Sequence, residues 1–320
     1  MNQDALPMNV SLSALKVLTY FDLFDYPLTR EEIGLFLDQK TSPGELFGSL
    51  NQLAESDLAF RFQEFYCLRN DPALVERRNK GNQKAAALIP TAYRISAFLY
   101  NFPFVRGIGI SGSLSKNFAD ENADIDYFII TKSNRLWIAR TLMHLYKKLT
   151  YITGRQHCHC MNYYVDEEAL TIQEKNIFTA IEVKTLIPVC GNGSLENFFN
   201  ANTWTDHYYP NCIIETESRT RTSSSIFKKL MESLFNNAMG DQLDNYLMKL
   251  TSRRWKIKET RNRLNAAGRK MGLQTGKHFS KPNPQHLQKQ ILELFEMRFG
   301  EMREKIGSVE LAVDVERTEN

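Results

Sequence analysis

Asp124 and Asp126, separated by one residue, lead into the apolar run Tyr127-Phe128-Ile129-Ile130. On a strand, side chains two residues apart project from one face. The pair therefore offers hard carboxylate oxygens to one or two divalent ions. Mg2+ suits that arrangement when substrate phosphates and water fill its remaining positions. Two negative charges so close are costly without a cation between them. Ser113 precedes Asp124 by eleven positions and closes a second apolar run, Gly107-Ile108-Gly109-Ile110-Ser111-Gly112. A glycine turn after an apolar strand lets backbone N–H groups approach phosphate oxygens with no side chain in the way. Either feature alone is also what a solvated strand start or an ordinary turn presents; together they describe a site for a metal-bound phosphate ester.

The combination of apolar strand, Gly-Ser, polar loop and Asp-apolar-Asp-apolar resembles the signature of the polymerase-β-like nucleotidyltransferase superfamily, in its bacterial minimal form. The resemblance covers residues 107–131. It implies transfer of a nucleoside monophosphate from an NTP, taken as ATP, to a hydroxyl on a small molecule or a protein side chain. By the same resemblance Asp124 and Asp126 hold Mg2+, while Gly112 and Ser113 cradle the outer phosphates. Lys116 is either a further phosphate contact or a solvated loop lysine. Many members carry a third carboxylate on a later strand to activate the attacking hydroxyl. Here the corresponding stretch, Cys158 to Val165, contains no acid. Asn162 has the parity for that position, but an amide can orient or ligate and is no general base. Asp166, Glu167 and Glu168 follow the strand as alternatives. That departure keeps two other readings open: a nucleotide-binding sensor without catalysis, and a DNA-binding regulator.

The elements that must position these residues suggest an α/β protein, a mixed sheet with flanking helices. Residues 1–75 read as a winged-helix-like domain. Leu12, Leu15, Leu18 and Phe21 have helical spacing; Thr29 with Glu31 and Glu32 marks a second helix start; Leu46, Leu50 and Leu53 lie on a third. Alternation at Leu58, Phe60 and Phe62, then Phe65 and Cys67, gives a hairpin. The third helix, 43–55, contains no Lys or Arg, which counts against reading DNA. Residues 76–215 form the expected transferase core: helix around Pro90, taken as a break or a helix start, strand Val105–Ser111, strand Ile125–Thr131, helix 135–153 and strand His157–Val165. Residues 216–307 read as helical, with breaks near Gly276 and Pro282, and 308–320 as a frayed tail.

His157-Cys158-His159-Cys160 has zinc-binding residue types, but alternation splits histidines from cysteines and leaves two ligands per face, so strand packing is the better account. Between Lys249 and Lys281 the chain is rich in Lys and Arg, with Glu259 the only acid. That run is either a solvated helix face or a contact for an anionic acceptor or nucleic acid. The formal charge of the 320-residue chain is only +3, so any polyanion preference must be local. Five cysteines, scattered and odd in number, argue against a disulfide framework. No stretch suits a membrane span and Met1–Asn9 lacks a signal-peptide pattern, which leads to the expectation of a cytoplasmic protein without a membrane partner.

Overall fold

The computed structural model describes residues 10–121, 123–150, 159–214, 216, 225–261, 270 and 272–318. The chain is mixed α/β, and it divides into two compact units that are both discontinuous in sequence.

The first unit comprises residues up to Lys80, Trp204–Ile213 and residues from Lys289 onward. It holds α1 (Val10–Asp22), β1 (Leu28–Thr29), α2 (Arg30–Leu35), α3 (Pro43–Glu55), β2 (Phe60–Phe62) and β3 (Phe65–Cys67). The three strands form an antiparallel sheet in the order β1-β3-β2. Two reciprocal caps start the short helices. Thr29 accepts from the Glu32 amide while the Glu32 carboxylate accepts from the Thr29 amide, and Ser42 with Glu45 repeats the arrangement. Leu15, Ile33, Leu50 and Leu53 meet at almost no exposure. Arg78 is buried and forks onto Glu32 through two 2.7 Å bonds, its guanidinium 4.5 Å from the Tyr26 and Phe65 ring centres.

The second unit comprises Gly81–Thr203 and Ile214–Gln288. Its six-stranded sheet follows from β4 (Val105–Ser111), β5 (Asp126–Thr131), β6 (Cys160–Asp166), β7 (Ile187–Cys190), β8 (Leu273–Thr275) and β9 (Phe279–Pro282). The order is β7-β4-β5-β6-β9-β8. Only the β5–β6 pair is parallel. The helices are α4 (Ala73–Leu99), α5 (Gly112–Ser115), α6 (Leu136–Thr150), α7 (Ile177–Lys184), α8 (Asn192–Ala201), α9 (Ile226–Phe235) and α10 (Ala238–Thr260), while α11 (Leu287–Thr318) belongs to the first unit from Lys289 onward. Helices α4 and α11 each run on into the first unit. Parallel pairing needs a crossover, and α6 supplies it. Tyr127, Ile129, Trp137 and Tyr164 fill the core.

Two expectations need correction. Helix α4 passes through Pro90 without a break; burial of Ala85, Ala92 and Leu99, spaced by seven, holds it together against the lost hydrogen bond. The region 216–307 is not uniformly helical, because β8 and β9 form a hairpin on the edge of β6. Helix α11 extends to Thr318. Both compact units draw on separate stretches of the chain. Tyr209 packs on Phe36 and Phe295 on Tyr20 in the first unit, while Asp244 of α10 accepts from the Ile138 amide in the second. No helix among the described residues is long and apolar enough to cross a membrane.

Candidate functional site

Strands β4 and β5 lie antiparallel with Ser111 opposite Asp126. The chain leaves β4 at Gly112, which opens α5 with φ of +70°. A β-carbon there would stand 2.5 Å from Asp126 Oδ2. Both the backbone angle and the carboxylate thus require glycine. Ser113 follows, exposed. The turn is held by Ser115 Oγ donating to the Gly112 carbonyl at 2.9 Å and by Lys116 Nζ donating to the same oxygen at 3.0 Å.

Asp124 is exposed, two residues ahead of β5, whereas Asp126 is the first residue of β5 and half-buried. Parallel pairing sets Asp126 beside Cys160 on β6. Asn162, two residues further along β6, donates from Nδ2 to Asp126 Oδ1 at 2.7 Å and accepts from the Cys160 thiol at 3.2 Å. The amide is therefore next to the Asp126 carboxylate, on the neighbouring strand. Burial pushes the Asp126 carboxyl up to about 7; the Cys160 thiol and Lys147 oppose that, while the charges of Asp124 and Glu182 add to it. A carboxylate in this state gains from any cation that arrives.

Lys116 is already engaged, because its Nζ donates to Glu182 Oε1 at 2.7 Å. Glu182 comes from α7, and sequence reasoning had no signal for it: nothing local links residues 116 and 182. Asp166 does not reach the Asp126 end of the sheet. It pairs with Thr131 at the far end of β6, six residues and about 20 Å from Cys160. There it is fully buried, accepting from the amides of Asn134 and Glu168 and pairing with His278 Nδ1 at 2.8 Å. Glu168 joins the same cluster through Asn134 Nδ2 at 2.9 Å.

His157 and Cys158 lie outside the described residues. His159 meets the Tyr146 hydroxyl at 3.3 Å, and burial, with the Asp126 charge, pushes the Cys160 thiol up to about 12. Among the described residues no group of three or more His, Cys, Asp and Glu side chains is arranged to hold a metal ion.

Comparison with protein-family models, with curated proteins and with solved structures finds no match for this chain.

Proposed function

We propose that this protein binds a nucleoside triphosphate with Mg2+ at the Gly112–Asp126 corner and transfers its nucleoside monophosphate to a hydroxyl acceptor, releasing pyrophosphate and the hydroxyl proton, as a polymerase-β-like nucleotidyltransferase. The observation that carries the reading is the fit of Gly112 against Asp126. The left-handed Gly112 stands directly against the half-buried Asp126 at the strand start. It clears backbone beside a carboxylate whose charge is disfavoured until a cation shares it.

The residues present fit Mg2+ by donor type. Asp124 and Asp126 supply hard carboxylate oxygens, and a two-carboxylate site that takes further ligands from phosphates and water is the usual way proteins hold this ion. When bound, Mg2+ supplies neutralisation of the charge that develops on the transferring phosphoryl group. Gly112 and Ser113 leave backbone N–H groups open to the outer phosphates. Asn162 fixes the orientation of Asp126 through its 2.7 Å bond. Lys116 contributes by stabilising the turn, through the Gly112 carbonyl and Glu182.

Asn162 also favours a second reading, a nucleotide sensor without turnover. Its amide donates to Asp126 on the neighbouring strand, the resemblance leads to a third carboxylate on such a strand, and an amide takes no proton. Transfer of label from an α-32P NTP to protein or to a small-molecule pool separates the two: label transfer supports the enzyme, and Mg2+-dependent binding without transfer supports the sensor. The three helices and small antiparallel sheet of the first unit suit a winged helix. Since α3 carries no Lys or Arg, we assign that module to protein contact rather than DNA reading.

A further inference from the structure

Helices α6 and α10 pack within the second unit and leave a groove of about 570 Å3 between them. Its walls come from one face of each helix. Arg140, His144 and Lys148 recur every four residues along α6; Arg254, Trp255, Lys258 and Arg261 repeat at helical spacing along α10. Among the described residues no acidic side chain lines it.

Cations on helix surfaces are ordinarily solvated and need no ligand. Arg140 is different. It is only 6% exposed, its Nε lacks a hydrogen-bond partner, and among the described residues it has no carboxylate partner. Its guanidinium lies 5.5 Å from the Trp137 ring and 5.8 Å from the Tyr164 ring, which offer weak compensation. Beside it, His144 Nε2 and the Tyr164 hydroxyl are also shielded from solvent with no partner. A buried charge without a counter-charge is among the costliest arrangements in a folded protein. Burial, followed by the charges of Arg140, Lys147, Lys148 and Lys258, drives the His144 imidazole down to about 3. Positive potential converges on these groups from both helices, and three buried polar groups lack the partner that such groups normally have.

We propose that this groove is a binding site for a phosphate-bearing small molecule of mononucleotide size, with the phosphate at Arg140 and Arg254 and an aromatic ring over Trp255. The volume is in the range of small-molecule sites. Arginine forks match phosphate oxygens in pairs. Leu145 and Ile257, both more than half exposed, and the Trp255 indole provide apolar surface for a ring beside the cations. The site uses none of the Gly112–Asp126 residues, so it stands whether or not that corner binds Mg2+ and NTP.

Titration with AMP, inorganic phosphate and adenosine, by calorimetry at fixed ionic strength with EDTA present, tests it. Saturable 1:1 binding of AMP is expected, with phosphate and adenosine each at least tenfold weaker. The exposed pair Arg254→Ser, Lys258→Ser should weaken AMP at least tenfold, while Asp124→Ala, Asp126→Ala should change it less than twofold. Arg140→Gln should lose AMP yet keep or raise the unfolding temperature of the free protein, whereas a purely structural arginine would lower it. Absence of AMP binding overturns the proposal. So does binding that survives loss of Arg254 and Lys258, or that vanishes with the aspartates. An affinity for single-stranded oligonucleotides that climbs with length also overturns it, in favour of a nucleic-acid track.

Discussion

Gly112 and Asp126 are in van der Waals register: any β-carbon on the glycine would stand 2.5 Å from the aspartate Oδ2. The turn after β4 and the start of β5 are therefore one unit, and a change in either residue is felt by the other. Gly112→Ala must displace the carboxylate and hold alanine at φ of +70°. We predict a loss of about 1–3 kcal/mol in urea unfolding, together with loss of Mg2+-dependent nucleotide binding. Ser113→Ala, at the exposed neighbour, should leave stability unchanged.

Asn162→Asp tests the amide beside Asp126. The variant removes the 2.7 Å donor and adds a like charge next to a carboxyl already pushed up to about 7. Without divalent ions it should be less stable than the wild type at pH 8, by about 1 kcal/mol. Millimolar Mg2+ should then raise its unfolding temperature more than that of the wild type. A Mg2+ response no larger than the wild type's would argue against a cation site at this strand pair.

Lys116 and Glu182 form a half-buried pair. A double-mutant cycle in urea, using Lys116→Ala and Glu182→Ala, should give a coupling of about 0.5–1 kcal/mol. Because the lysine is tied to the α7 carboxylate, Lys116→Ala is expected to alter Mg2+-NTP affinity less than threefold. A larger loss would return the lysine to the phosphates.

Much of this corner was legible in the sequence, for a physical reason. Strands β4 and β5 are apolar runs with sharp polar ends, and period-two alternation set Asn162 on one face with Cys160; the parallel register, with its shift at Tyr127/Phe128, is what brings that amide beside Asp126. Thr29 with its following acids was a readable helix start because the cap is built from residues three apart. What escaped depends on contacts far along the chain. Glu182 reaches Lys116 from 66 residues away. Asp166 follows β6 but belongs to the far end of the sheet, which only the parallel register reveals. Strands β8 and β9 have three and four residues, too few for alternation to register. Leu230, Leu234 and Met239 are spaced as an apolar helical stripe in the sequence, yet all three are more than half exposed.

Asp244 gives the pH dependence. It is buried on α10 and accepts from the Ile138 amide in the first turn of α6. Burial raises its carboxyl to about 6, against the pull of the Ile138 and Trp137 amides and Arg135. A raised folded pKa means that the native state holds the proton more tightly than the unfolded chain does. The resulting stabilisation is complete below the unfolded value near 3.8 and is lost as pH rises through about 6. Asp244→Asn keeps an acceptor for the amide without the charge. We predict that the variant unfolds at a higher temperature than the wild type at pH 8, and that the advantage shrinks by pH 5.

Calorimetric titration of Mg2+-ATP into the wild type and into Asp124→Ala, Asp126→Ala bears most directly on the central claim. EDTA controls and excess AMP to fill the α6–α10 groove keep that second site out of the measurement. The account predicts saturable, Mg2+-dependent binding by the wild type that is abolished in the folded double variant. Binding that is indifferent to Mg2+, or that persists without both aspartates, would contradict it.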